Sequence, residues 1–137
     1  MDQQLIIEKL EALRRCIERV EQKCPQSYED LMDDPDLQDI VSVNLERAIQ
    51  LCVDIGSHII ADSEYGAPVT MAETFDILHK MGHIEQESAN HLKKAVGFRK
   101  IAVHTYQKIN WEIVFNICRY RLDDFKHFAR QVNTLLE

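Results

Sequence analysis

Apolar residues recur along this chain at the three- and four-residue spacing of helices, without the alternation of a half-buried strand. Over residues 3–24 they fall at Leu5, Ile6, Leu10, Leu13, Ile17 and Val20, which predicts one buried helix face. The segment PQSYEDLMDDPD interrupts the pattern. Ser27, three residues ahead of Asp30, predicts a weak N-cap, and the acidic cluster with Pro35 predicts a turn or short helix. A second long helix is expected from Leu37 to about Ile60. Its apolar residues, Ile40, Leu45, Ile49, Cys52, Val53, Ile59 and Ile60, spread around the cylinder. That spread predicts a central helix packed on several sides, or one that also meets a second chain.

ADSEYGAP breaks the pattern again through Gly66 and Pro68. Thr70 followed by Glu73 is a capping box that opens a third helix through Phe75, Leu78 and Met81 and stops at Gly82. Glu85 to Val96 predicts a fourth helix, with Gly97 as a left-handed stop. Asn110 caps a last helix from Trp111 to about Leu136, carrying Ile113, Ile117, Phe125, Phe128, Val132 and Leu135. No repeat or linker divides the sequence. The expectation is an all-α fold, an antiparallel bundle of about five helices forming one domain over residues 1–137.

Composition narrows the class. A chain of 137 residues can bury a core without metal or disulfide staples, and scarce Gly and Pro (4 and 3) disfavour an all-β sandwich. The charged N-terminus MDQQLIIEKLEALRR does not resemble a secretory signal, and no apolar run is long enough to span a bilayer. A cytoplasmic location without membrane contact is expected. Cys16, Cys24, Cys52 and Cys118 are scattered, lack a C-x-x-C pair, and read as reduced structural thiols on helices.

Charge is distributed unevenly. The net charge is −7, yet residues 1–78 hold 6 basic and 17 acidic side chains, while residues 79–137 hold 10 basic and 6 acidic. The basic set includes Lys93, Lys94, Arg99, Lys100 and Lys108, so the C-terminal half could attract a phosphate backbone despite the acidic whole.

Few residues offer chemistry. His79 and His83 have a zinc-like spacing, but Gly82 is expected to end their helix and no further ligand is well placed, so no metal is assigned. His58 and His127 read as lone structural histidines, and no Gly-rich phosphate loop or G-x-S-x-G is present. The run GFRKIAVHTY, residues 97–106, is different. A histidine near neutral pKa can move the 2′-hydroxyl proton of RNA, and a guanidinium can hold nonbridging phosphate oxygens. On an unbroken helix, positions 99 and 104 lie roughly 140° apart, so a break at Gly97 would be needed to aim both at one cleft. Two copies facing each other would supply separate acid and base.

The motif Arg99-x4-His104-x-Tyr106, preceded by Gly97 and Phe98, resembles the signature of HepT toxins, a branch of the HEPN ribonucleases. LERAIQLCVDIGSHII resembles that family's long helix, and the similarity covers most of the chain. It implies a metal-independent endoribonuclease toxin needing no cofactor, homodimeric, with Arg99 and His104 as the catalytic pair in a shared cleft. It also implies a minimal nucleotidyltransferase antitoxin that transfers AMP from ATP to Tyr106. AMP there would add bulk and negative charge near His104 and repel an RNA backbone. Lys93, Lys94, Lys100 and Lys108 are candidate RNA phosphate contacts. Lys100 stands where many members carry Asn, Asp or His, and its ammonium cannot accept a hydrogen bond. Two other classes fit the same residues: a non-catalytic nucleotide- or substrate-binding subunit of a nucleotidyltransferase complex, and a helical assembly module.

Overall fold

The computed structural model describes residues 2–104 and 109–136, and of residues 99–104 the backbone alone. Among these residues every regular element is helical, in the order α1 Gln3–Lys23, α2 Tyr28–Met32, α3 Pro35–Ala61, α4 Met71–Lys80, α5 Gln86–His104, α6 Trp111–Tyr120 and α7 Leu122–Leu135. None is long and apolar enough to cross a membrane.

Local chemistry explains most boundaries. Asp2 caps α1 by accepting from the Leu5 N–H at 3.1 Å, and the helix ends at Cys24, whose extended backbone suits a residue before proline. Ser27 accepts from the Asp30 N–H at 3.2 Å, so the predicted turn is the one-turn helix α2. Asp34 caps α3, with Pro35 in the first turn where its missing N–H costs nothing. Thr70 accepts from the Glu73 N–H at 3.1 Å, as its capping box predicts. At the other end of α4, the His83 N–H donates to the Leu78 carbonyl and the Gly82 N–H to that of His79. Gly82 adopts φ +80°, which a glycine reaches without strain.

α3 is the central helix. It touches all six others, and Val41, Leu45, Ile49, Cys52, Ile55 and Ile60 are buried around its circumference. Gly56 allows α4 to approach closely: a Cβ there would lie 2.5 Å from Thr74 Cγ2 and 3.0 Å from Leu78 Cδ1. Gly56→Ala is therefore expected to destabilise the fold by about 1–3 kcal/mol through overpacking. Urea unfolding checks this, and an unchanged midpoint would mean that the two helices separate at no cost.

Two expectations need correction. Gly97 does not stop a helix. α5 runs through it to His104, and Gly82 is the only described residue with positive φ. Ala95, Val96 and Phe98 on either side of Gly97 are buried, and their packing outweighs the roughly 1 kcal/mol that a helical glycine costs. The last helix is not continuous but divides at Arg121, whose φ −119° and ψ 10° leave the helical region. No Gly or Pro causes the break. α6 lies against α2 and α3, whereas α7 turns to pack on α5 and α1, and the chain bends where its partners change. Among the described residues seven helices thus stand where about five were expected. The four thiols are free, as expected, but two that are far apart in sequence meet: Cys24 and Cys118 Sγ are 2.8 Å apart, joining the end of α1 to α6. Burial, followed by this contact, pushes the Cys118 thiol well above its usual range.

Candidate functional site

α5 carries the motif. Gln86 to Val96 form its earlier turns, and residues 99–104 continue the same backbone helix to its C-terminal end. The side chains of Arg99, Lys100 and His104, and all of Tyr106 and Lys108, lie outside the described residues. The kink that would bring positions 99 and 104 together within one copy is absent at Gly97.

The rest of α5 forms one wall of a cleft of about 450 Å³ shared with α6 and α7. Ala95, Ile117 and Phe125 are buried in its apolar floor. At its polar side His91 Nδ1 lies 3.0 Å from Asp124 Oδ1. Arg121 grips the same carboxylate, donating from Nε to Oδ2 at 3.0 Å and from Nη2 to Oδ1 at 3.2 Å. Asp124 is thereby held between two nitrogen-bearing groups, and its charge is largely neutralised. Lys94 and Asn116 complete the rim as exposed side chains.

The two candidate lysines described here differ. Lys93 is paired with Asp76, Nζ to Oδ1 at 3.0 Å, tying α5 to α4. Lys94 faces the cleft and makes no ion pair among the described residues. Other basic groups of the C-terminal half also serve packing: Lys126 pairs with Glu21 at 3.2 Å and Arg119 donates to Gln26 at 3.1 Å. His79 is structural, its Nδ1 lying 2.9 Å from the Ile84 carbonyl beside the Gly82 turn. Among the described residues no three His, Cys, Asp or Glu gather as a metal would require.

The His91–Asp124–Arg121 cluster escaped the sequence reading. Arg121 and Asp124 at i, i+3 are a recognisable pair, but His91 reaches them only because α7 folds back onto α5.

A family model described as ribonuclease HepT-like matches residues 13–132. An mRNA nuclease HepT from Shewanella oneidensis is 37% identical over 124 residues, covering 90% of this chain and 92% of its own. A tRNA nuclease HepT from Aphanizomenon flos-aquae is 28% identical over 133 residues, covering 96% and 90%. Among solved structures, the tri-AMPylated Shewanella oneidensis HEPN toxin in complex with an MNT antitoxin superposes with a TM-score of 0.88 at 35% identity, covering 98% of this chain and 99% of its own. A toxin–antitoxin crystal structure with AMP-PNP gives 0.86 at 35% identity, covering 96% and 99%. With the family model spanning most of the chain and the length and helical fold matched by these proteins, the chain belongs to the ribonuclease HepT-like family.

Proposed function

We propose that this chain is the toxin of a toxin–antitoxin pair, a cytoplasmic endoribonuclease that cleaves RNA with Arg99 and His104. The observation that carries the reading is the Arg99-x4-His104-x-Tyr106 motif in a chain similar, over 90% of its length, to an mRNA nuclease HepT. His104 takes the 2′-hydroxyl proton, the 2′-oxygen attacks phosphorus, and the bond to the 5′-oxygen breaks as that oxygen gains a proton. Arg99 holds the nonbridging oxygens as their charge grows. Proton transfer and charge stabilisation are both supplied by side chains, so the reaction proceeds without a metal ion.

One histidine cannot serve as base and acid in the same step, and a homodimer supplies the second. The unbroken course of α5 supports this arrangement, because positions 99 and 104 then occupy different sectors of the helix cylinder. The antitoxin is a minimal nucleotidyltransferase. It moves AMP from ATP to the Tyr106 hydroxyl, releasing pyrophosphate, and the added phosphate repels RNA from the cleft. The similar toxin that is tri-AMPylated beside its MNT antitoxin supports this control.

The test is direct. The purified chain should cleave single-stranded RNA in excess chelator. Treatment with its nucleotidyltransferase, ATP and Mg²⁺ should then add one or more AMP groups to the Tyr106 peptide by mass spectrometry and stop cleavage. Nucleotide binding without cleavage, with or without divalent metal, would replace the reading with a non-catalytic subunit. Neutralisation with an unmodified Tyr106 would mean inhibition by binding alone.

A further inference from the structure

We propose that the cleft between α5, α6 and α7 is a nucleotide subsite that holds one nucleoside monophosphate unit of the RNA strand beside the cleaved bond. The inference rests on the RNA-cleaving reading for its ligand, but the site itself is built from described residues. Its volume of about 450 Å³ suits a small polar ligand with a flat apolar part.

The groups around it divide as a nucleotide does. Ile113, on the rim, leaves 40% of its surface exposed although it is large and apolar, and above a floor closed by Ile117 and Phe125 it offers an apolar contact for a base. The Asn116 amide, both donor and acceptor, stands beside that face and has no side-chain partner among the described residues. The Lys94 ammonium is likewise without a partner there and supplies positive charge for a phosphate. The nearby carboxylate of Asp124 does not oppose an anion, because Arg121 and His91 already hold it. The same clamp keeps the guanidinium edge and imidazole fixed at the cleft wall.

Position along the chain supports a link to catalysis. Lys94 and Arg99 are five residues apart on one continuous helix, about 7.5 Å along its axis and roughly 140° apart around it, so a strand that reaches both must curve around α5. A strand with its reacting phosphate near position 99 would place a nearby nucleotide at the cleft by following that curve. The cleft would then contribute to which sequences are cut.

Two measurements on the intact protein test this, using Lys94→Ala and Asn116→Ala, both at exposed positions. The first follows AMP binding by NMR shifts of the Ala95, Ile113 and Ile117 signals. The second is steady-state cleavage of a single-stranded RNA. The proposal expects AMP to shift those signals in the parent protein, and each variant to weaken this binding about tenfold or more, the loss of one polar contact. It expects KM for RNA to rise similarly with kcat unchanged. Parent protein that cleaves RNA while AMP leaves the cleft signals unmoved and both variants keep the parent KM would overturn the subsite and leave the nuclease reading standing. AMP binding at the cleft that both variants weaken, in a protein that cleaves no RNA, would support the nucleotide site and defeat the nuclease reading instead.

Discussion

Alanine at position 104 is expected to lower RNA cleavage by about 10²–10⁴-fold, the usual contribution of a positioned proton-transfer group. The imidazole is the only side chain in the motif whose ordinary pKa lies near neutral pH, so no neighbour replaces it. Arg99→Ala should cost about 10²–10³-fold by removing charge stabilisation in the transition state. Arg99→Lys should recover only part, because an ammonium cannot hold two phosphate oxygens in a planar fork. Circular dichroism should show parental helix content and thermal unfolding in both variants. A correctly folded His104→Ala protein with parental cleavage would remove His104 from the mechanism.

The largest expected loss of stability is at Phe128. Its ring is fully buried, meeting that of Phe75 edge to face with centroids 6.0 Å apart and planes at 83°. The pair joins α7 to α4 through the centre of the molecule. Phe128→Ala removes the burial and leaves a cavity, for an expected cost of about 3–5 kcal/mol. Against a total stability of about 5–15 kcal/mol for domains of this kind, that is a large fraction. Urea titration should show a much lower midpoint, and Phe128→Leu should recover part of it. A shift worth less than about 1 kcal/mol would mean that the ring is not packed as described. Because α7 also carries Asp124 and Phe125, loosening it should widen the nucleotide cleft as well.

The two results would read different layers of the protein. The first concerns a motif whose residue types are legible at once in GFRKIAVHTY. The second concerns a contact between residues 53 positions apart, where the pattern marks both as apolar but says nothing of their meeting. The same division runs through the fold. Ser27, Thr70, Asn110 and Gly82 are each found at the helix ends they predict. Gly97 is the instructive failure, a glycine read as a stop that lies inside a helix because Ala95, Val96 and Phe98 are buried around it.

By itself the sequence determined that the chain is helical, where most helices begin and which helix lies at the centre. These follow from short-range physics: a cap satisfies an N–H two or three residues away, and an apolar stripe repeats within a single helix. Only the tertiary structure decided that α5 passes Gly97, that the last helix divides at Arg121, that Cys24 meets Cys118, and that His91 joins Asp124 and Arg121 beside a cleft. Each of these depends on which helices pack together. Burying a few apolar side chains outweighs the local preference of one residue, and groups distant in sequence become neighbours only when that packing is complete.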